Sequence, residues 1–225
     1  MIQNKEFLSK TLNIVEIFYS IQGEGTRAGL PCVFIRLAGC NLDCKWCDTL
    51  YAKKISDGKN ISFEEIIKTI KSYKCNFIEF TGGEPLLQQN SIDLINYLTN
   101  QNFTTAIETN GSISISNLNK KTIKIVDVKC PGSNMSEHNL FDNFNYITEN
   151  DEIKFVISSK NDFEWSHNII QQYKLLNKTK NILFSAVDTL FSHKELAELI
   201  LSTNSLYRQQ IQIHKVIWDR NARGV

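Results

Sequence analysis

The sequence has almost no net charge. Its 25 Lys and Arg residues are balanced by 24 Asp and Glu residues, which leaves +1 at pH 7. A broad electrostatic grip on nucleic acid or on an anionic membrane needs surplus positive charge, so neither partner is expected. The chain also lacks any apolar run near the ~20 residues that cross a bilayer. Its start, MIQNKEFLSKTLN, lacks the apolar segment of a signal peptide. We therefore expect a soluble, cytoplasmic protein.

Proline is scarce, and no low-complexity tract, internal repeat or linker interrupts the chain. Three prolines in 225 residues, with 42% hydrophobic and 22% charged residues, are ordinary for a globular protein. A chain of this size buries roughly 70–75% of its unfolded surface, enough for one core. The sequence therefore predicts a single domain over residues 1–225.

Short β-branched runs alternate with helix-like segments. VFIRLAG (33–39) predicts a strand that leads directly into a cysteine-rich loop. ISFEEIIKTIKSY (61–73) predicts a helix, because Ser62 and Glu65 form a capping-box pattern before an apolar stripe. The other predicted strands are 76–83, 103–111, 123–129, 152–158, 181–187 and 210–216, and the other predicted helices are 91–100, 161–175 and 192–202.

This alternation indicates a mostly parallel sheet with flanking helices. About six repeats are too few for the eight of a closed barrel. The predicted fold class is therefore α/β, an open, partial TIM-like barrel of about six parallel strands. In such sheets the chemistry lies at the carboxyl ends of the strands. Four motifs directly follow apolar runs here, namely GCNLDC, TGGEP, ETNG and KCPGS.

Three cysteines, Cys40, Cys44 and Cys47, crowd into the loop AGCNLDCKWCDT (38–49). In a cytoplasmic protein such a group indicates metal or redox chemistry rather than disulfides. Three thiolates can hold three irons of a cubane-type cluster and leave the fourth iron open to another ligand. They can also join a fourth ligand around zinc. The spacing favours the cluster but leaves zinc open, with Cys32, Cys75 and Cys130 as candidate fourth ligands.

Polar residues on both sides of this loop suggest further ligands. Arg36 lies on the same face of its strand as Cys40, and an arginine among apolar residues needs an anion. That anion is either a substrate carboxylate or an internal salt-bridge partner. Thr49 offers a hard hydroxyl oxygen that suits Mg²⁺. In SIQGEGTRAG (20–29), Gln22 and Glu24 have the acceptors and donors that suit a guanine-like edge.

The pattern C-x3-C-x2-C, with Trp46 just before the last cysteine, resembles the signature of the radical S-adenosylmethionine (SAM) superfamily. The resemblance implies a 4Fe–4S cluster whose open iron binds SAM and whose reduced form releases a 5′-deoxyadenosyl radical. TGGEP (81–85) resembles the segment that binds the amino group of SAM. The expected cofactor contacts are Trp46, Gly82, Gly83 and Glu84, with Glu108 and Ser133 at the ribose and carboxylate. A turn-forming role is the alternative for Glu108 and Ser133.

IQGEG, GCN…CDT, TGGEP and a terminal HKVIW…RGV together are similar to the 7-carboxy-7-deazaguanine synthase family, which acts in 7-deazapurine (queuosine-precursor) biosynthesis. The resemblance is clearest over residues 19–49, 80–85 and 208–225. It implies a carbon–nitrogen lyase that contracts the ring of 6-carboxy-5,6,7,8-tetrahydropterin with loss of ammonia. It further implies Mg²⁺, an external flavodoxin-like or ferredoxin-like reductant, and a homodimer.

The resemblance also implies roles for individual residues. Arg36 would hold the substrate carboxylate, and Gln22, Gly23 and Glu24 would contact the pterin. Arg36, Glu24 and Gln22 are the predicted catalytic residues, because a radical reaction depends mainly on positioning. The other implied contacts are Thr49 to Mg²⁺, and Thr81, His214 and Val225 to the substrate.

Two other interpretations stay open. A glycyl-radical-enzyme activase has a similar short radical core and cysteine loop, but it acts on a protein. Such a substrate requires neither Arg36 nor the IQGEG segment. A non-catalytic module that binds zinc or an iron–sulfur cluster would explain the cysteines alone.

Overall fold

The computed structural model describes residues 2–219 and 222–225. Its strands are β1 (Thr11–Ile21), β2 (Pro31–Leu37), β3 (Lys59–Ser62), β4 (Phe77–Gly82), β5 (Thr104–Thr109), β6 (Ile123–Val128), β7 (Glu152–Ile157), β8 (Ile182–Ala186) and β9 (Arg208–Gln210). Its α-helices are α1 (Ile2–Ser9), α2 (Phe63–Ser72), α3 (Asn90–Asn100), α4 (Lys160–Gln172), α5 (His193–Ser202) and α6 (His214–Ile217). None of the helices in the described ranges is long and apolar enough to cross a bilayer.

These strands form one sheet in the order β3-β1-β2-β4-β5-β6-β7-β8-β9. From β2 to β9 each neighbouring pair of described strands is parallel, whereas β1 is antiparallel to both β2 and β3. Because β3 and β9 are opposite edges, the sheet is not closed. The predicted fold class, an open and mostly parallel partial barrel, is therefore confirmed.

The helices follow the local signals in the sequence. α2 begins where Ser62 accepts a hydrogen bond from the backbone of Glu65, and its buried stripe includes Ile66 and Ile70. The predicted helices 91–100 and 192–202 match α3 and α5 within one residue at each end. α4 ends at Gln172, three residues before the predicted end at 175, because Lys174 takes a left-handed conformation with φ of 50°.

One strand was missed and one strand prediction was wrong. β1 precedes the predicted strand 33–39, and the loose alternation of TLNIVEIFYSI, whose residues are mostly half-buried, concealed it. The predicted strand 210–216 stops at Gln210, and His214 begins the short helix α6 instead. There the chain leaves the sheet because the backbone of Ile213 bonds to the carbonyl of Gly23, at 3.0 Å.

The β1–β2 loop reaches across to the other end of the sheet. Gly25 N donates to Gln210 Oε1 at 2.7 Å, and Ile213 N donates to the carbonyl of Gly23. Glu152 on β7 accepts hydrogen bonds from the backbone and side chain of the same loop. These contacts tie the antiparallel end of the sheet to β7 and β9, so that the inner face of the sheet lines a pocket.

Candidate active site

A pocket of about 630 Å³ lies on the inner face of the sheet. Its wall includes every predicted site residue except Glu84, namely Gln22, Gly23, Glu24, Arg36, Cys40, Cys44, Trp46, Cys47, Thr49, Thr81, Gly82, Gly83, Glu108, Ser133, His214 and Val225. These residues come from motifs distributed along the whole chain. The parallel strands bring the motifs together because their carboxyl ends meet at one edge of the sheet.

The cysteine loop is attached to the carboxyl end of β5. Asn110 Nδ2 donates to Cys40 Sγ at 3.8 Å. All three cysteines of the loop are free thiols that line the pocket. Burial raises the pKa of the Cys44 and Cys47 thiols, so a bound metal would be needed to favour their thiolate forms.

The three other cysteines contact residues outside the cysteine loop. Cys32 packs in an apolar cluster, Cys75 Sγ lies 3.4 Å from the carbonyl of Pro31, and Cys130 Sγ lies 3.3 Å from Ser166 Oγ. Within residues 2–219 and 222–225, no three His, Cys, Asp or Glu side chains are placed to share one metal ion. A four-iron cluster does not require such convergence, because each cysteine binds a different iron atom.

The TGGEP turn packs directly on the strand that leads into the cysteine loop. A Cβ at Gly82 would overlap the backbone of Leu37, and one at Gly83 would overlap the carbonyl of Gly39. Gly82 also has φ of 132°, which favours glycine. The paired glycines therefore allow two backbones to pack closely, and both glycines lie on the pocket wall as a result.

Glu84 joins β4 to β5 and lies outside the pocket wall. Its carboxylate is fully buried and accepts hydrogen bonds from Leu86 N (3.0 Å), Thr109 Oγ1 (2.8 Å) and Asn110 N (2.7 Å). Burial raises the pKa of Glu84, and these hydrogen bonds oppose that shift. Three protein donors thus occupy the Glu84 oxygens, and a contact between Glu84 and the cofactor stays a prediction from the sequence.

The floor of the pocket is an ionic network around Lys154. Lys154 Nζ lies 2.8 Å from Glu24 Oε2 and 2.5 Å from Glu108 Oε1. Gln210 and Gln212 donate to the Glu24 carboxylate at 2.6 and 2.5 Å. Burial works against ionisation of Glu24, but the charge and hydrogen bond of Lys154 outweigh it and lower the pKa to about 2. Burial raises the pKa of Glu108, with Lys154 opposing.

Gln22 is tied into the protein at both ends of its amide. Its Oε1 accepts from the backbone N–H of Glu24 at 2.9 Å, and its Nε2 donates to Glu79 Oε2. Burial raises the pKa of Glu79 well above its ordinary value, and the nearby charges of Glu108 and Glu24 add to this shift. A ligand contact from the Gln22 side chain would have to replace one of these bonds.

Arg36 has an internal salt-bridge partner. Its Nε donates to Glu16 Oε1 at 2.7 Å, and its guanidinium lies 5.8 Å from the ring centroid of Phe18 and 5.6 Å from that of Tyr51. The salt bridge that the sequence left as the alternative is therefore present. Arg36 nevertheless lines the pocket, beside Thr81 on the neighbouring strand, so its guanidinium also faces the space for a ligand.

Two predicted cofactor contacts and one predicted Mg²⁺ ligand lie around the cysteine loop. Trp46 packs against Gly132, whose Cβ position would be 3.0 Å from Trp46 Cη2. Ser133 Oγ donates to the carbonyl of Cys130 at 2.6 Å, which is the turn-forming role that the sequence left open. Thr49 Oγ1 donates to Asp48 Oδ1 at 3.0 Å, so two hard oxygen ligands lie side by side at the pocket wall.

The C-terminal segment returns to the pocket. A Cβ at Gly23 would overlap His214 Nδ1, so the imidazole packs directly on the β1–β2 loop. Burial lowers the pKa of His214, although the charge of Glu24 opposes this. The Arg223 guanidinium lies 3.9 Å from the ring centroid of Tyr51, and Val225 lines the pocket.

Comparison with known proteins agrees with this arrangement. Residues 34–126 match the model of the Radical SAM superfamily. The chain is 38% identical over 217 residues to 7-carboxy-7-deazaguanine synthase from Chlorobaculum tepidum, covering 95% of this chain and 97% of the relative. It is 41% identical over 219 residues to the synthase from Clostridium acetobutylicum, with 94% and 98% covered. The chain belongs to the 7-carboxy-7-deazaguanine synthase family.

A solved structure supports the fold of this family member. The crystal structure of QueE from Escherichia coli superposes with a TM-score of 0.76 and 23% identity, covering 93% of this chain and 98% of that chain. Membership of the radical SAM superfamily implies a 4Fe–4S cluster and SAM as cofactors. The relatives favour the synthase over both the activase and the non-catalytic interpretation.

Sequence reasoning missed several charged residues of this synthase-family pocket. Lys154, Glu79, Asp127 and Lys129 all line it. Each lies within or next to an apolar strand, in IKF, IEF and VDVK. A charged residue inside a strand that is otherwise buried indicates an inward-facing polar site. The sequence therefore contained a signal for these pocket residues, but it did not show which residues pair with them.

Proposed function

We propose that this chain is a carbon–nitrogen lyase that converts 6-carboxy-5,6,7,8-tetrahydropterin to 7-carboxy-7-deazaguanine with loss of ammonia. The supporting observation is that one pocket of about 630 Å³ combines a radical-SAM cysteine loop with Arg36 and with the network of Glu24, Glu108 and Lys154. The names of the relatives supply the product, and the pocket has the groups to hold the proposed substrate at both ends.

The residues present fit the implied cofactors. Cys40, Cys44 and Cys47 would hold the cluster, and the pocket beside them has room for SAM. Asp127 Oδ1 is buried and lacks a hydrogen-bond partner among the described residues, and it lines the same pocket. Such an acceptor suits an amino or hydroxyl group, both of which SAM has. When bound, cluster and cofactor supply the 5′-deoxyadenosyl radical that starts the reaction.

The chain's own residues orient the substrate. Arg36, held by Glu16 through Nε, would bind the substrate carboxylate, and Glu24 and Glu108 would accept from the N–H groups of the pterin. Holding a flat substrate at both ends limits the positions that the radical can attack, which is the main catalytic contribution expected here. Thr81 and His214 would contact the ring from the pocket wall, and Val225 would close it.

Mg²⁺ would bind at Thr49. Its hydroxyl and the neighbouring Asp48 carboxylate are hard ligands at the pocket wall, and Mg²⁺ commonly takes only one or two protein ligands plus substrate oxygens. A cation placed here would contribute electrostatically beside the substrate carboxylate. Three further points belong to the proposal as predictions from the sequence: a homodimer, a flavodoxin-like or ferredoxin-like reductant, and one radical SAM domain in the cytoplasm.

The direct test is product formation. Anaerobically reconstituted, reduced protein would receive SAM, Mg²⁺ and the carboxytetrahydropterin, and mass spectrometry would follow the products. The proposal expects carboxydeazaguanine and ammonia in equal amounts. A Thr49→Ala variant should lose the dependence on added Mg²⁺ together with most of the activity. An intact cluster that cleaves SAM but forms no carboxydeazaguanine would refute the proposed reaction.

A further inference from the structure

Lys154 is the most deeply placed cation of the pocket that no motif explains. It lies on β7, its side chain is 8% exposed, and it lines the pocket. Its ammonium bridges two carboxylates from different elements, Glu24 of the β1–β2 loop at 2.8 Å and Glu108 of β5 at 2.5 Å. The side chains of those two carboxylates are 20% and 27% exposed. The carboxylates therefore face the open space while the cation lies behind them.

The network gives each carboxylate a defined direction. Glu24 accepts from Lys154, Gln210 and Gln212, so its position is fixed from two sides of the pocket. Glu108 is fixed through Lys154 alone among the hydrogen bonds of the described residues. Without the ammonium, two nearby anions in a partly buried site would repel each other and lose their common donor.

We propose that Lys154 is a positioning residue that holds Glu24 and Glu108 as a two-carboxylate fork, which selects ligands that present several N–H donors along one edge. The inference rests on the proposed function, because the pterin substrate has such an edge in its 2-amino group and ring N–H. The fork is a site of acceptors only. It should reject the 2-oxo (lumazine) analogue, whose carbonyl would point at a carboxylate.

Other charged groups around Lys154 define the electrostatic setting. Asp127 on β6 and Lys129 act on Lys154 directly. Glu79 on β4 lies near Glu24, Glu108 and Glu152. Burial raises the pKa of Glu79 well above its ordinary value, which favours the neutral acid. Lys154 is thus the main counter-charge that Glu24 and Glu108 share. His214 also acts on Glu24, but burial lowers the pKa of that imidazole.

Removing the counter-charge should make ligand binding depend on pH. In Lys154→Met, burial would be opposed less at Glu24, where the Gln212 hydrogen bond remains, and less at Glu108, so the pKa of both would rise. The fork accepts hydrogen bonds best when ionised. Pterin affinity of the variant should therefore weaken as the pH falls through these raised values, at a higher pH than in the wild type.

The test uses reconstituted holoenzyme with SAM and no reductant, so that binding is measured without turnover. Calorimetry would compare 6-carboxypterin with 6-carboxylumazine, its 2-oxo analogue, from pH 5.5 to 8.5. Wild type should prefer the pterin by about tenfold or more, since an unpaired polar group is costly. Lys154→Met should lose most of that preference, and Lys154→Arg should retain more of it because the charge remains.

Lys124→Met is the matched control. Lys124 is also buried and also paired with a carboxylate, Asp151 at 3.2 Å, but it does not line the pocket. Its loss should cost stability and leave the pterin preference and the pH profile unchanged. If Lys154→Met does not fold, Lys154→Gln carries the same prediction, because it keeps a donor without the charge.

The outcomes separate the inference from the proposed function. If wild type binds neither pterin nor lumazine, the proposed substrate class fails. If wild type prefers the pterin and the folded Lys154→Met or Lys154→Gln variant keeps that preference and the wild-type pH profile, Lys154 is only structural and the inference is overturned. A loss of preference in Lys124→Met as great as in the Lys154 variants would overturn it as well.

Discussion

The guanidinium of Arg36 donates from Nε to Oε1 of Glu16, 2.7 Å away, while the same side chain lines the pocket. The ion pair joins β1 to β2, and it orients the guanidinium rather than removing it from the ligand space. Internal pairing and substrate binding, which the sequence presented as alternatives, are therefore compatible in one residue.

Arg36→Lys tests this double role. A lysine has a single ammonium and cannot offer a planar fork to a ligand carboxylate while it also pairs with Glu16. We expect substrate affinity to fall by about tenfold or more, consistent with the loss of a charge-assisted bond worth ~1.5–3 kcal/mol. Calorimetry with the carboxypterin measures this, and SAM binding serves as the control. Unchanged affinity would show that the arginine serves only the fold.

Asn110 should tune the cluster. Its amide oxygen accepts from Ser112 N and Oγ at 3.0 and 2.6 Å, which directs its Nδ2 towards Cys40 Sγ. A hydrogen bond to a cluster sulfur favours the reduced, more negative state. Asn110→Ala should therefore lower the reduction potential by roughly 40 mV, the one-electron equivalent of about 1 kcal/mol.

An EPR-monitored redox titration of reconstituted protein measures this shift. Ser114→Ala is a suitable control, because Ser114 bonds to Ser116 in the same exposed segment and does not line the pocket. A potential that stays the same in Asn110→Ala would mean that the 3.8 Å contact has no electronic effect.

Gly23→Ala should act through His214. The added Cβ would overlap His214 Nδ1, so the imidazole must leave its place on the pocket wall. We expect weaker substrate binding with little loss of unfolding free energy. If His214 mediates the effect, Gly23→Ala in a His214→Ala background should cost little more than His214→Ala alone. Additive losses in this double-mutant cycle would show that the loop backbone itself is disturbed.

Glu84→Gln should destabilise the fold. An amide cannot accept from all three of the donors that Glu84 serves, and one unpaired buried group costs ~1–3 kcal/mol. Because burial raises the pKa of Glu84, the folded state holds this proton more tightly than the unfolded state. The stability from this linkage is fully present below the ordinary value near 4.5 and declines as the pH rises through the raised pKa.

Urea denaturation of wild type and Glu84→Gln between pH 4 and 8 gives the difference in unfolding free energy. The stability advantage of wild type should be largest at low pH and should decline as the pH rises through the raised pKa of Glu84. SAM binding by the folded variant should stay close to wild type. A variant that is fully stable but cannot bind SAM would instead support the cofactor role predicted from the TGGEP motif.

Part of this molecule could be predicted because the signals are local. The Ser62 cap, the apolar stripe of α2 and the strand ends each depend on neighbours within a few residues. The site residues could be selected from the sequence for a related reason. Motifs that follow parallel strands meet at one edge of the sheet, wherever they lie in the chain.

The sequence by itself determined the family, the open parallel sheet, the cysteine loop and many of the residues that line the pocket. Only the tertiary structure decided which charges pair. Lys154 pairs with Glu24, 130 positions away in the sequence. The Glu84 carboxylate lies outside the pocket wall and accepts a hydrogen bond from the backbone that follows β5. Such pairings depend on strand register and on the path of the β1–β2 loop, which no local pattern encodes. The physical reason is that a buried charge selects its partner by distance in space.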